Sequence, residues 1–388
     1  MTERILEVFQ DLFSQRPLIA FAPGRINLIG EHTDYQEGLV FPAAVEQGIF
    51  VAIGRNQKGY CRLYSLDFDE EYTFSLDSIS PQKGHWVNYV MGMLSQLKQA
   101  GFAPQSFDMV IGGTIPVGAG LSSSAALSIA IGTAITSLFN YQVSKKSLVL
   151  YAQKSEHLYA GVNCGIMDPY ASAFGKKSHA LLLDCRSNSH EEIPINLGHF
   201  GLVLVNSKVK HSLTDSAYNK RGLACEDSVN ILKSEFPEIK TLRDIDISDL
   251  EKIEKILPQK LFPKAKHVIS ENHRVSEAAE SLLKGDLANF GQLMNSSHES
   301  LSTDFEVSCA ELDFLAAKAQ SLPYILGSRM MGGGFGGCTL NLIDKKFLVD
   351  FKIQIQNSYQ KQFGIIPDFI EVELSDGASV IHSDSTSF

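Results

Sequence analysis

The sequence lacks the patterns that mark zinc-binding, disulfide-rich and membrane-spanning proteins. Its six cysteines include no Cys-x-x-Cys pair and no zinc-ligand spacing, so we expect reduced thiols. No apolar run is long enough to cross a membrane. The N-terminal segment mixes acidic with apolar residues, as an amphipathic helix does and a signal peptide does not. These absences predict a cytoplasmic protein without membrane contact.

Blocks of positive charge are absent as well. The formal net charge is −10, from 34 basic and 44 acidic side chains, which argues against a surface for nucleic acid or anionic lipid. Internal repeats and low-complexity linkers are also missing. We therefore expect a monomer whose partners are small molecules.

The length of 388 residues exceeds that of one ordinary domain, and a hydrophobic content of 44% can fill two cores. Short apolar runs broken by Gly, Pro and Asn predict strands over residues 18–76, helical periodicity dominates residues 121–160, and strands return around residue 180. The chain is then mostly helical up to residue 320 and closes with strands, which predicts an α+β fold. A polar stretch with Pro194 and Gly198 predicts domains at residues 1–198 and 199–388.

The segment IPVGAGLSSSAA at residues 115–126 is the clearest chemically. Gly118 and Gly120 can adopt backbone angles closed to other residues, and Ser122 to Ser124 open a long apolar stretch, so the pattern predicts a strand, a glycine turn and a helix start. Free backbone N–H groups at such a start bind anions, including nucleotide phosphates. The alternative is a capping turn without a ligand. A P-loop is excluded, because its lysine is missing.

Two further segments carry unusual densities of polar residues or glycine. GRINLIGEHTDY at residues 24–35 is a poor core strand, and its side chains suit the hydroxyl groups of a sugar, although a solvated turn with one salt bridge is the alternative. RMMGGGFGGC at residues 329–338 has five glycines among residues 332–337, which also fits a simple tight loop. The polar residues of the first segment are Arg25, Asn27, Glu31, His32 and Asp34.

Together these segments resemble the motifs of the galactokinase family, within the GHMP kinase superfamily. The order is that of the family, and the resemblance continues at CGIMD (164–168), LLLDCRS (181–187), NSKVKHSL (206–213) and SAYN (216–219). It implies a two-domain α+β GHMP kinase fold with the active site in the inter-domain cleft. It also implies ATP and Mg²⁺ as cofactors and phosphorylation of the C1 hydroxyl of galactose. An N-acetylgalactosamine kinase, a mevalonate kinase and a sugar sensor without turnover are the alternatives.

The resemblance also implies roles for individual residues. Asp168 matches the catalytic base, with Arg25 beside it; the residue after Asp168 is Pro169, so a simple helix cap is the alternative. The implied sugar-binding residues are Glu31, His32, Thr33, Asp34, Gly165 and Tyr218. The implied nucleotide-binding residues are Ser65, Gly118, Ala119, Gly120, Leu121, Ser122, Ser123 and Ser124, with Trp86 on the adenine side. The implied Mg²⁺ ligands are Ser124 and Glu156.

The chain departs from the family pattern at three places. Pro169 stands where the family has Gln, and Gln36, at the rim of the sugar site, stands where it has Asn. In the run KRGLAC after SAYN, Gly222 and Ala224 replace an Arg and a Glu. We therefore expect that an ion pair supporting the sugar-side helix is missing.

Overall fold

The computed structural model describes residues 1–116, 118–162, 164–210 and 214–381. Val117 and residues 211–213, which belong to two of the motifs above, lie outside this description. The helices are α1 (Thr2–Phe13), α2 (Val87–Gln99), α3 (Ser123–Leu138), α4 (Lys145–Ser155), α5 (Met167–Phe174), α6 (Thr214–Leu232), α7 (Leu250–Ile256), α8 (Phe262–Lys284), α9 (Leu287–Thr303), α10 (Ala310–Gln320) and α11 (Leu348–Phe363). The strands are β1 (Leu18–Asn27), β2 (Leu39–Val40), β3 (Pro42–Arg55), β4 (Cys61–Ser65), β5 (Glu70–Phe74), β6 (Phe107–Gly113), β7 (His179–Asp184), β8 (Ser189–Pro194), β9 (Phe200–Lys210), β10 (Ile325–Met331), β11 (Gly336–Asp344), β12 (Asp368–Val372) and β13 (Ser379–Ile381).

The first half of the chain is built around a six-stranded sheet in the order β13-β1-β3-β6-β4-β5. Helix α3 is apolar on most of its surface and packs against β1 and β3 on one side and α2, α4 and α5 on the other. A helix that is apolar all round is stable only when it is buried. Its burial fixes the start of α3, and therefore the glycine-serine loop before it, next to the end of β1.

The second half is built around a four-stranded sheet in the order β10-β11-β9-β12, with α9 and α10 packed on β10. A small third sheet contains β2, β7 and β8. The α+β expectation is confirmed. No helix of the described ranges is long and apolar enough to cross a membrane.

The proposed domain boundary at residue 198 falls between β8 and β9, which belong to different sheets. The last strand does not follow this division, because β13 pairs with β1 in the first sheet, with Ile19 opposite Ile381. We keep the boundary at residue 198 as a proposal, with the terminal strand β13 assigned to the first domain.

A contact between two glycines brings α9 close to β10. A Cβ atom on Gly291 would lie 2.3 Å from the carbonyl oxygen of Leu326, and one on Gly327 would lie 2.6 Å from the carbonyl oxygen of Gly291. Real side chains do not approach backbone this closely, so the packing distance between helix and sheet requires glycine at both positions.

We predict opposite effects for two helical glycine-to-alanine substitutions. Gly291→Ala must push α9 away from β10 and should lower the free energy of unfolding by about 1–3 kcal/mol. Gly222→Ala, in α6, meets no atom within 4 Å of the new Cβ and should raise the free energy of unfolding by about 1 kcal/mol through helix propensity alone. Urea denaturation of both variants checks this. If both substitutions changed the free energy of unfolding by the same amount and in the same direction, the glycine contact would not set the distance between α9 and β10.

Candidate active site

Arg25 and Asp168 form a two-pronged ion pair in the wall of the main cavity. Arg25 Nε donates to Asp168 Oδ1 and Nη2 to Oδ2, each at 2.8 Å, and Arg25 Nη1 donates to the carbonyl oxygen of Gly120 at 2.6 Å. The hydroxyl of Ser122 donates to Asp168 Oδ2. Asp168 lies in the first turn of α5 but does not cap it. The helix-cap alternative is therefore excluded, and Pro169 fits because an early helix position needs no N–H donor.

The glycine-serine loop leaves the start of α3 free to bind an anion. Gly118, Gly120 and Ser122 have positive φ angles of 76°, 66° and 57°, so three residues just before the helix are in the left-handed region. Ser122 directs its hydroxyl to Asp168 and not to the helix amides, so no side chain caps α3. Backbone N–H groups at such a start, reinforced by the helix dipole, bind phosphate oxygens.

The loop is held from two directions. Its Leu121 carbonyl accepts a hydrogen bond from the backbone N–H of Arg25 at 2.9 Å, and its Ala119 carbonyl accepts one from the thiol of Cys338 at 3.1 Å. A Cβ on Gly24 would lie 2.7 Å from the Leu121 oxygen. The three motifs that sequence analysis singled out thus meet around this loop.

Glu156 and Ser124 form an oxygen pair suited to Mg²⁺. Glu156 opens a π-helical turn (Glu156–Ala160) after α4, is only 4% exposed, and accepts a hydrogen bond from Ser124 Oγ at 3.4 Å. Burial, and then the charge of Asp168, raise the pKa of Glu156 to about 7. In the described residues no group of three or more His, Cys, Asp or Glu forms a metal cluster. A hydroxyl and one carboxylate nevertheless fit Mg²⁺, which takes its remaining ligands from water and phosphate.

Glu31 lies in the cavity wall and is held by a fully buried arginine. Arg329 Nη2 lies 2.6 Å from Glu31 Oε2, and its Nη1 donates to the carbonyl oxygens of Asn27 and Leu28 at 3.1 Å. The backbone N–H of Gly332 donates to Glu31 Oε1 at 2.8 Å. Burial raises the pKa of Glu31, and the charge of Arg329 opposes this shift.

His32 has both ring nitrogens occupied by the protein. Nε2 donates to the carbonyl oxygen of Gly333 at 3.2 Å, which leaves Nδ1 to accept from the hydroxyl of Tyr35 at 3.0 Å. Burial, followed by the charge of His267, lowers the pKa of His32 to about 3, so the ring is neutral. Its ring centroid lies 5.1 Å from that of Tyr218. His32 therefore presents a ring surface to the cavity, together with the aromatic Tyr218.

Asp34 and Gly165 depend on each other sterically. A Cβ on Gly165 would lie 1.6 Å from Asp34 Oδ2, so only glycine leaves room for this carboxylate. Burial raises the pKa of Asp34 to about 7, with the charge of Asp168 as the second cause. Gly165 thus shapes the place of Asp34 in the cavity wall.

Thr33, Ser65 and Trp86 do not belong to the described cavity wall. Thr33 is fully buried, and its hydroxyl faces the carbonyl oxygens of Gly30 and Leu39 at 3.0 and 2.7 Å, so it supports the loop instead of facing the cavity. Ser65 ends β4, parallel to and beside β6, the strand that leads to the glycine-serine loop. Trp86 Nε1 donates to a carboxylate oxygen of Glu70 at 2.7 Å. Ser65 and Trp86 remain expectations for the adenine side.

The expected loss of an ion pair beside the sugar-side helix stays a prediction, but one arginine of that segment still anchors the helix. Arg221, the remaining arginine of KRGLAC, donates from Nε to the carbonyl oxygen of Phe305 at 2.6 Å and from Nη2 to that of Glu306 at 2.8 Å. These bonds anchor α6, which carries Tyr218. At Gly222, no atom lies within 4 Å of the position that a Cβ would take, so the surface of the helix is open there.

The cavity has a volume of about 210 Å³ and lies between the two halves of the chain. Sequence analysis missed part of its wall, including Cys164, Met167 and Gly332. Gly332 could have been found, since a glycine run before a strand exposes backbone N–H groups. The predicted residues in its wall are Arg25, Glu31, His32, Asp34, Ser124, Glu156, Gly165, Asp168 and Tyr218.

Comparison with known proteins agrees with this geometry. Residues 7–55 match the profile described as "Galactokinase galactose-binding signature", residues 88–176 "GHMP kinases N terminal domain" and residues 278–351 "GHMP kinases C terminal". Galactokinase of Bacillus subtilis is 40% identical over 385 residues, 97% of this chain and 98% of that protein. The chain belongs to the galactokinase family of GHMP kinases. The motif resemblance is thereby confirmed, and membership makes the protein an ATP-dependent sugar kinase.

Other relatives extend the agreement. Galactokinase of Chloroflexus aurantiacus is 42% identical, with 92% of each chain covered. The crystal structure of Lactococcus lactis galactokinase complexed with galactose has a TM-score of 0.95 and 34% identity, covering 98% of this chain and 100% of that chain. A mevalonate kinase structure, at 17% identity and a TM-score of 0.64, shares the fold. The two-domain GHMP kinase architecture of this family is therefore present here.

The raised pKa of Asp34 predicts a pH dependence of sugar binding. With a pKa of about 7, this carboxyl is mostly protonated at about pH 6 and mostly ionised at about pH 8, and an ionised carboxylate would accept stronger hydrogen bonds from sugar hydroxyls. Affinity for galactose, the sugar expected from the motifs, should therefore rise about threefold to tenfold between about pH 6 and pH 8. Calorimetric titration without nucleotide measures it.

Two variants test whether Asp34 causes this pH dependence of galactose affinity. Asp34→Asn should bind weakly with a flat pH profile, whereas Glu156→Gln should keep the wild-type rise although Glu156 also has a pKa of about 7. A rise that survives in Asp34→Asn and disappears in Glu156→Gln would contradict the assignment.

Proposed function

We propose that this protein transfers the γ-phosphoryl group of ATP to the C1 hydroxyl of α-D-galactose, giving galactose 1-phosphate and ADP. The observation that carries the proposal is the place of Asp168. Its carboxylate lies in a cavity whose wall contains the sugar motif, and it accepts a hydrogen bond from Ser122 of the phosphate loop. One carboxylate thus lies between the two substrates that the reaction must join.

The chemistry follows from the charges at that point. Asp168 accepts the proton of the C1 hydroxyl while the sugar oxygen forms a bond to the γ-phosphorus and the bond to the ADP oxygen breaks. Arg25 orients the carboxylate through both oxygens and stabilises the negative charge that spreads over the transferring group. Both side chains are held by neighbours before the substrate arrives, so little reorganisation is required.

The nucleotide is assigned to the loop before α3. Backbone N–H groups of that helix start, with the hydroxyls of Ser123 and Ser124, face the phosphates. Ser124 and Glu156 would hold Mg²⁺, which neutralises phosphate charge when bound. Ala119 and Leu121 contribute backbone to this loop, and their carbonyl bonds to Cys338 and Arg25 keep it in place.

The sugar is assigned to the opposite wall. Glu31 and Asp34 supply acceptors for hydroxyl groups, and Tyr218 with His32 supplies flat apolar surface. The neutral state of His32 supports this role, because a buried cation at that position would be costly.

The expected monomeric state and the cytoplasmic location remain proposals. All six cysteines are free thiols, which supports a reducing compartment and hence the cytoplasm.

A coupled ADP-release assay across a panel of hexoses and N-acetylgalactosamine tests the function, with NMR to locate the phosphate. We expect turnover with galactose and phosphate at C1. Preference for N-acetylgalactosamine would replace the substrate assignment, and sugar binding without ADP release would favour a sensor.

Asp168→Asn should abolish turnover while retaining sugar and ATP binding. The amide fills the same volume but cannot accept the proton, and general base catalysis contributes about 10²–10⁴-fold. Stopped assays at saturating substrate give kcat, and calorimetry confirms binding. Retention of more than about a tenth of the wild-type kcat would remove Asp168 as the base.

Ser124→Ala and Glu156→Gln should each raise the Mg²⁺ concentration needed for half-maximal rate, by about threefold or more, because each removes an oxygen ligand. Galactose affinity without nucleotide should stay at the wild-type value. Ser123→Ala, at the exposed first residue of α3, removes a hydroxyl assigned to the phosphates and not to the metal, so it is the matched control for the Mg²⁺ requirement. Magnesium titrations that overlay the wild type would refute the assignment.

A further inference from the structure

A cluster of charged side chains joins the two halves of the chain beside the sugar loop. We call it the clasp, and it consists of Glu37, Asp184, Arg186, Arg243 and Asp244. Asp184 and Arg186 come from the motif LLLDCRS, to which the proposed reaction gives no role. None of the five belongs to the described cavity wall.

Arg243 makes the central contacts of the clasp. Its Nη1 and Nη2 donate to Asp184 Oδ1 and Oδ2 at 2.9 and 2.7 Å, and Nη1 also donates to the carbonyl oxygen of Glu37 at 2.7 Å. Burial opposes ionisation of Asp184, but the hydrogen bonds from Arg243 and from the backbone outweigh it and lower the pKa of this carboxyl. The pair is therefore fully ionised at neutral pH, in the two-pronged geometry that favours arginine over lysine.

Arg186 adds a second bridge. Its Nε donates to Glu37 Oε2 at 2.7 Å, and its Nη2 lies 2.7 Å from Asp244 Oδ1. Glu37 is thus held through its carbonyl by one arginine and through its carboxylate by the other. Asp244 belongs to the second half of the chain, so both arginines span the boundary proposed at residue 198.

One clasp residue, Glu37, directly follows the turn that carries Asp34. The 3₁₀ turn Asp34–Gln36 closes with a hydrogen bond from the N–H of Glu37 to the carbonyl of Asp34 at 3.1 Å. Gln36 Oε1 accepts the N–H of Leu242 at 3.2 Å, immediately before Arg243. The side chain of Gln36 thus ties this turn to the segment that carries Arg243.

We propose that Arg243 and Arg186 are positioning residues that fix the Asp34–Gln36 turn, and with it the Asp34 carboxylate, for sugar binding. This inference rests on the proposed function of the same site. The clasp has no contact with the Arg25–Asp168 pair, so its loss should weaken sugar affinity and leave the chemical step unchanged. Its side chains are partly exposed, so salt should screen the effect.

The test compares Arg243→Gln and Arg186→Gln/Arg243→Gln with wild type in steady-state kinetics and in calorimetric binding of galactose without nucleotide. We expect the KM and Kd for galactose to rise about tenfold in the double variant, with kcat and the KM for ATP within about twofold of wild type. Raising the salt concentration should weaken galactose binding by wild type more than by the double variant.

Three matched variants separate positioning from general destabilisation. Arg62→Gln breaks an ion pair of the same two-pronged geometry with Asp108, at 2.8 Å for both bonds, away from the cavity. It should lower the melting temperature without changing the galactose KM. Arg243→Lys should restore binding only in part, and Gln36→Asn should weaken it slightly.

The outcomes are distinct. If wild type phosphorylates galactose and the folded double variant keeps the wild-type KM and Kd, the clasp does not position the sugar site. If Arg62→Gln raises the galactose KM as much as Arg243→Gln does, the effect is loss of stability and the inference falls. If wild type does not use galactose at all, the proposed function fails first, and that result is visible before any variant is made.

Discussion

The ion pair between Glu31 and Arg329 is the interaction on which the site depends. Arg329 is fully buried and Glu31 is 2% exposed, so removing either partner leaves a charge that water cannot reach, at a cost of about 3–5 kcal/mol. Arg329 comes from β10 and Glu31 from the loop after β1. The pair therefore joins the two halves of the chain at the cavity itself. Nearby, Glu271 of α8 accepts the N–H of Gly30 at 2.9 Å, which ties the same loop to a third element.

The proposed site has two walls that are built differently. We call them the sugar wall, with Glu31, His32, Asp34 and Tyr218, and the phosphate wall, formed by the glycine-serine loop and the start of α3. The sugar wall is held by side chains from distant parts of the chain, through the buried pair and through charged residues at the rim. The phosphate wall is mainly backbone, with a helix start, glycines and a serine, Ser122, whose hydroxyl donates to Asp168. Arg25 contacts both walls, because its side chain reaches Asp168 and its backbone reaches Leu121.

The glycine turn and helix start at residues 118–124 could be predicted because their signals are local: glycines, hydroxyls and an apolar helix occur within a few consecutive residues. Sequence also indicated several residues of the cavity wall, but not all of their contacts. The polar side-chain atoms of Thr33 and His32 hydrogen-bond to other protein groups. In the sequence, Arg329 was noted only as the first residue of a glycine-rich motif. Its partner Glu31 is some three hundred positions away, and only tertiary packing reveals such a contact. The boundary near residue 198 follows a change of sheet, but a pattern read along the chain could not foresee that β13 returns to β1.

That return has a consequence for how the chain is made. During synthesis the first sheet lacks its edge strand until residues 379–381 have left the ribosome, because Ser379–Ile381 pairs beside Ile19 and Phe21. Until then one side of β1 exposes unpaired backbone groups, which are a template for association with other strands. The nascent N-terminal half is thus exposed to association with other strands until residues 379–381 pair with β1 and complete the first sheet.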